Sequence, residues 1–171
     1  HGTRRIGLGI TGLADALILL NLRYDAEAAH TLAGEVMATL CHSAYRASIE
    51  LAREKGVFPF FDATAYLRSA FIARLPQDIR NGIARHGIRN SHLIALAPTG
   101  TISLLANNVS SGLEPVFEFE YRRRVRQADG GFRELRLSDH ALLRWRALRG
   151  DAPLPPGFVT AVELPPAAHL A

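Results

Sequence analysis

Residues 11–21 carry apolar side chains on nearly every side of a helical projection, the pattern of a helix enclosed by protein. From Asp25, a candidate N-cap, apolar positions recur at Ala29, Leu32, Ala33, Val36, Leu40, Ala47 and Leu51 with helical spacing, until Gly56 as a C′ residue. Such a helix would be about 45 Å long at 1.5 Å per residue, more than a small domain needs, and points to a large parent structure. An apolar loop over Val57, Phe58, Pro59, Phe60 and Phe61 follows. Asp62 is then placed to cap a helix to about Ala73, and Pro76 to open another that runs to His86 and stops at Gly87. Residues 91–97 read as a buried strand running into a tight loop at Pro98, Thr99 and Gly100, with a short helix from Thr101 to about Asn107. The alternation of Phe117, Phe119, Tyr121 and Val125 predicts a half-buried strand. Asp129, Gly130 and Gly131 turn it back through Phe132 to Leu137, a hairpin with arginines on one face. Ser138 and Asp139 offer caps for a helix to Arg149. Five of the nine prolines fall between Pro153 and Pro166, so residues 151–171 are expected to be an extended or mobile Pro-rich tail after a domain of residues 1–150.

Composition narrows this picture. The 171 residues are 48% hydrophobic and 21% charged, which suits a globular domain with a real core and excludes disorder over most of the length. Asp15 splits the most apolar run, so no stretch reads as a membrane span. The first residues include Arg4 and Arg5 but no Met, apolar region or cleavage site of a secretory signal, and the segment is expected to derive from something longer. Cys41 is the only cysteine, which rules out an intrachain disulfide and fits a reducing, cytoplasmic setting. The net charge of +4 is unevenly spread: residues 1–120 cancel, residues 121–149 carry nine arginines against Asp129, Glu134 and Asp139, and the remainder contributes −2. An anionic partner is therefore sought first at 121–149.

Several constellations compete for chemistry. Gly7, Gly9 and Gly12 spell GxGxxG before a helix, but a dinucleotide site needs a buried strand feeding the glycines, and only polar, basic residues precede them. Tight turning and close packing is the better reading. The run Pro98-Thr99-Gly100-Thr101-Ile102-Ser103 has the parts for anion capture in order: apolar strand, glycine turn, hydroxyl residues, helix start. Unpaired N–H groups, the helix dipole and three hydroxyls would hold a phosphate, although the same turn fits a threonine cap. The arginines near Tyr121 suit nucleic acid, yet Glu118, Glu120, Glu134 and Asp139 are close enough to pair with them, which favours a solvated or subunit-facing surface. His86 and His92 lack metal-ligand spacing, Cys41 reads as a small core residue, and no Ser/His/Asp order or close carboxylate pair stands out.

At these residues the chain resembles the large catalytic chain of ribonucleotide reductase, most nearly the adenosylcobalamin-dependent class II form. The matching stretches are Arg5 to Leu17; Glu54-Lys55-Gly56 with Phe58-Pro59 and Phe61-Asp62; Gly87 to Ser91; Ala97 to Leu104; Asn107 to Phe117; and the Tyr121 to Val125 strand. The resemblance implies an α/β fold, a helix-rich fragment of a ten-stranded α/β barrel from its second half, with the hairpin near its C-terminus. It implies that Thr99, Gly100, Thr101, Ile102 and Ser103 hold the substrate's phosphates, with Pro98, Asn108 and Glu114 supporting the loop. The parent activity would be reduction of ribonucleotides to 2′-deoxyribonucleotides by radical chemistry, with adenosylcobalamin as cofactor and electrons from a thiol reductant. The family's loop bearing the radical cysteine is absent from this sequence, as is its pair of reducing cysteines, so no catalytic residue is assigned and the segment alone is expected to be silent. Its partners would be the missing part of the reductase, a ribonucleotide and conceivably a second copy in a homo-oligomer. A class I large-subunit fragment and a non-catalytic nucleic-acid-binding module built on the arginine hairpin are the rival readings.

Overall fold

The computed structural model describes residues 2–169, and its contacts divide the chain into two compact units. The first comprises the chain up to Gly9 with Gly34–Leu96; the second comprises Ile10–Ala33 with the chain from Ala97 onward. Among the described residues, six α-helices and one two-stranded sheet form: α1 (Leu13–Leu19), α2 (Glu27–Lys55), α3 (Ala63–Leu67), α4 (Gln77–His86), α5 (Gly100–Leu105), β1 (Glu120–Arg126), β2 (Phe132–Ser138) and α6 (His140–Arg149). No helix among the described residues is long and apolar enough to cross a membrane.

In the first unit, Ala44, Tyr45 and Ile49 of α2 pack with Ile79 and Ile83 of α4 and with Phe58, Ile72, Ile88 and Leu93. The long helix starts at Glu27, one turn fraction later than expected, because the Asp25 carboxylate accepts from Arg23 Nε at 2.7 Å. It ends where expected, with Gly56 at φ 79°. Two of the family-like stretches meet at that end: Arg89 donates to the carbonyls of Lys55 at 2.6 Å and Gly56 at 2.9 Å, a cationic cap on the negative helix terminus. Asn90 beside it is tied to buried Ser48 through two bonds of 3.0 and 3.1 Å. Asp62 caps α3 through Ala65 N at 2.9 Å, but the helix stops at Leu67 and resumes only as a 3-10 turn at Ile72–Arg74. Burying Ile72 in the core while Phe71 lies on Tyr45 requires that break.

The expected buried strand at 91–97 is not one. Only Leu93 is buried, Ala95 to Pro98 are exposed, and the sole pairing among the described residues is a parallel bridge from Ile94 to Leu8. With a neighbour on one side only, the segment cannot be enclosed. The packing reading of the glycine motif holds at this bridge: a Cβ on Gly7 would sit 2.8 Å from the Ala95 methyl, and one on Gly9 would sit 2.7 Å from the Ala95 carbonyl oxygen.

In the second unit, α1 buries Leu13, Ala14, Leu17 and Ile18 while Leu19 and Leu20 are exposed, so the enclosure expected on all sides is one-faced. Strands β1 and β2 pair antiparallel from Glu120↔Ser138 to Arg126↔Phe132, starting later than Phe117, which is exposed. The arginines do not share one face. Consecutive strand residues point oppositely, so Arg122, Arg124, Arg126 and Arg136 lie on one side and Arg123 and Arg133 on the other. Of the acids expected to pair with them, only Glu134 does, with Arg122 at 3.2 Å; Asp139 instead caps α6 through Ala141 N at 2.9 Å and Leu142 N at 3.2 Å. Nor do residues 151–169 form a free tail. Val159 and Leu164 are buried, Thr160 bridges Val116, and Phe158 packs on Phe119 and Trp145, because its apolar residues outweigh the stiffness of its prolines.

Candidate functional site

The loop at 98–103 is held by a relay of hydroxyls. Ser110 N donates to the buried Asp15 carboxylate at 2.6 Å, and Ser110 Oγ accepts from Ala14 N at 3.1 Å, so the start of α1 is stitched to this loop. Thr11 Oγ1 donates to the Ser110 carbonyl at 2.7 Å, Thr99 Oγ1 donates to Thr11 Oγ1 at 2.8 Å, and Gly112 N donates to Thr99 Oγ1 at 2.8 Å. Thr99 is the N-cap residue of α5 by position only: its hydroxyl faces this relay and caps nothing. Gly112 adopts φ 56°, and Glu114 folds back so closely that a Cβ on Gly112 would lie 2.8 Å from its carboxylate.

The first turn of α5 is left open. The amides of Gly100, Thr101 and Ile102 have no hydrogen-bond partner among the described residues, and the first bond of the helix runs from Ser103 N to the Thr99 carbonyl at 2.7 Å. Around Gly100 there is space: an added Cβ would meet nothing within 4 Å. Of the three hydroxyls expected to add bonds, Thr99's belongs to the relay, and Ser103's, on a residue 5% exposed, donates to the Gly100 carbonyl at 2.9 Å. Thr101 and Ile102 are exposed, so the Thr101 hydroxyl stays available alongside the three amides. Pro98 is exposed at the loop's entry. The helix ends at Leu105, earlier than Asn107, because Asn107 and Asn108 both take left-handed conformations at φ 66° and 58°. Asn108 then pins the hairpin, donating to the Ser138 carbonyl at 2.8 Å and accepting from the Tyr121 hydroxyl at 2.6 Å.

One feature of this unit has no sequence signal. Asp15 and Asp139, both buried, converge on a single amide: Ala141 N donates to Asp15 Oδ1 at 3.0 Å and to Asp139 Oδ1 at 2.9 Å. Burial first, and the Asp15 charge second, push the Asp139 carboxyl up to about 7. This overturns the reading that no close carboxylate pair exists, and the reason it was missed is distance along the chain. A cavity of about 670 Å³ adjoins the loop, with Gly100, Ser110, Glu114, Arg122 and Asp139 among its lining residues.

The remaining candidates stay structural. Cys41 packs against the core of the first unit, and burial pushes its thiol up, away from the reactive thiolate. His86 and His92 are exposed, with His92 Nδ1 at 2.9 Å from Ser91 Oγ. No group of three or more potential metal ligands gathers among the described residues.

Comparison with known proteins gives this geometry its setting. A family model described as ribonucleotide reductase, barrel domain, matches residues 1–144. The chain is 38% identical over 125 residues to the vitamin B12-dependent ribonucleoside-diphosphate reductase of Mycobacterium tuberculosis (strain CDC 1551 / Oshkosh), covering 73% of this chain and 16% of that protein. It is 37% identical over 123 residues to the enzyme of the same name from Thermoplasma acidophilum, covering 72% of this chain and 14% of that one. To the ribonucleoside-diphosphate reductase large chain of Encephalitozoon cuniculi it is 35% identical over 133 residues, covering 71% and 17%. The chain thus spans about a sixth of the length of these relatives. Matched to the barrel-domain model over most of its residues, this chain belongs to the ribonucleotide reductase family.

Proposed function

We propose that this chain supplies the substrate-phosphate loop of a ribonucleotide reductase that converts ribonucleotides to 2′-deoxyribonucleotides by radical chemistry. The observation that carries this is the open first turn of α5, where three unpartnered amides and the Thr101 hydroxyl surround a glycine with free space, in a chain of this family. A diphosphate oxygen accepts naturally from such amides, and the positive end of the helix adds a fixed partial charge that needs no ionisable side chain. Thr99 and Ser103 act behind the ligand: one locks the loop to Thr11 and Gly112, the other braces the Gly100 carbonyl. Asn108 and Glu114 shape the neighbouring turn. In this reading residues 1–150 are part of the second half of a ten-stranded α/β barrel.

The full enzyme would be cytoplasmic and would need the rest of the reductase chain, a ribonucleotide and a thiol reductant. Two of the relatives above are named as vitamin B12-dependent, which supports adenosylcobalamin as the cofactor that starts the radical chemistry. The described residues do not fit that group by themselves: the groove of about 860 Å³ beside the hairpin is walled by leucines and arginines and is open to solvent. Its cradle is therefore assigned to other parts of the enzyme. A class I reading, which the E. cuniculi large chain keeps in view, requires activity of the full-length protein without adenosylcobalamin.

The test is Gly100→Val in the full-length enzyme. A branched side chain would fill the space at the amides, so nucleoside diphosphate affinity is expected to fall by roughly tenfold or more while radical formation at the cofactor survives. Unchanged affinity would refute the phosphate role.

A further inference from the structure

The hairpin and the helices beside it form a second concavity that the phosphate loop does not use. It measures about 860 Å³ and is lined by Leu104 of α5, Leu143 of α6, the aliphatic Val125, Leu135 and Leu137 of the hairpin, and the arginines Arg123, Arg124, Arg126 and Arg136. The strand register explains its character. Along β1 Val125 stands between Arg124 and Arg126, and along β2 Arg136 stands between Leu135 and Leu137, so aliphatic side chains and guanidinium groups alternate along the groove. The aliphatic residues are only partly covered: Val125, Leu135 and Leu137 are half-buried, and Leu143 is 52% exposed. Of the six hairpin arginines only Arg122, which does not line the groove, has a carboxylate partner among the described residues.

From this we infer that the groove between β1, β2, α5 and α6 is a docking site for an acidic, leucine-rich polypeptide segment, whose aliphatic side chains lie on the floor and whose carboxylates meet Arg123 and Arg136. Charge and floor chemistry together choose this occupant. Residues 121–149 carry nine arginines against three acids, so a second copy presenting the same face would set like charges together. Single-stranded nucleic acid would be drawn by the arginines, but it binds on aromatic platforms, and none faces this groove. Neither aromatic of the hairpin is among the lining residues: the Tyr121 hydroxyl is bonded to Asn108, and the Phe132 ring centre lies 4.6 Å from the Arg124 guanidinium. An aliphatic floor with a cationic rim instead matches the core and rim of a protein interface.

The test uses the full-length polypeptide that carries these residues and a fluorescent peptide of alternating leucine and glutamate, read by anisotropy. Saturable binding is expected, with a matching leucine–lysine peptide failing to bind. Arg123→Glu combined with Arg136→Glu should weaken the acidic peptide roughly tenfold or more, the scale that reversed interface charges cost. Arg133→Glu, whose side chain is not among the groove's lining residues, should change it little. Thermal melts check that each variant folds, and Leu135→Ser serves as a second probe that removes floor rather than charge. Four results would overturn the proposal: no binding to the parent protein, which would mean that the rest of the chain covers the groove; equal loss in the Arg133 variant; tighter binding of a single-stranded oligonucleotide with the same arginine dependence; or self-association that the double variant abolishes.

Discussion

Thr99 shows how much one hydroxyl can carry. It joins Thr11 to Gly112, so it fixes the entry of α5 from two directions while leaving the amides beyond it open. Thr99→Val keeps the shape but orphans the Gly112 amide and the Thr11 hydroxyl's neighbour. It should cost roughly 1–2 kcal/mol in denaturant unfolding and weaken nucleotide binding in the full enzyme, and equal stability would show that the relay is ornamental. The role of this residue was only half legible in sequence. Strand-turn-glycine-hydroxyl order marks the loop as an anion candidate, but the order says nothing of which hydroxyls face outward. That depends on Thr11 and Ser110, 88 residues from Thr99 in one case and 99 from Thr11 in the other. Local pattern cannot report such bonds, and the same holds for Asp15, whose burial against Ser110 and Ala141 contradicts every expectation for an aspartate in an apolar run.

Among the elements, helix ends were the best-read features and strand faces the worst. Asp62, Gly56, Gly87 and Asp139 all mark boundaries because capping is local chemistry between neighbours. The 91–97 segment and the tail depend on what lies beside them, which no window of sequence contains. The α6 cap also predicts a pH response. Unfolded, Asp139 would titrate near the ordinary value of about 4; folded, it is pushed up to about 7. The folded chain holds that proton more tightly, so the contribution is fully present below about pH 4 and is lost as pH rises through about 7. Asp139→Asn retains a good N-cap without the charge. Thermal midpoints measured from about pH 5 to 8 should therefore fall in the parent and stay flatter in this variant; parallel profiles would sink the carboxyl-pair account.

For the whole molecule, the docking of residues 151–169 is the largest departure from what composition suggested. Phe158 stands 5.8 Å from Trp145, the only tryptophan, with ring planes near perpendicular. Ending the chain at residue 150 should strip this cover, shift the Trp145 emission to the red and lower the melting temperature of the second unit; an unshifted spectrum would return the segment to the status of a loose tail. The two units also differ in how they are written along the chain. Residues 34–96 of the first are contiguous save for a short leading strip, whereas the second joins 10–33 to the chain beyond 97, through bonds such as Asp15 to Ala141 across 126 positions. Emerging from a ribosome, the inserted portion can condense while synthesis continues. The split portion must keep the apolar side of α1 waiting, in need of shelter, until the residues beyond 97 arrive to cover it.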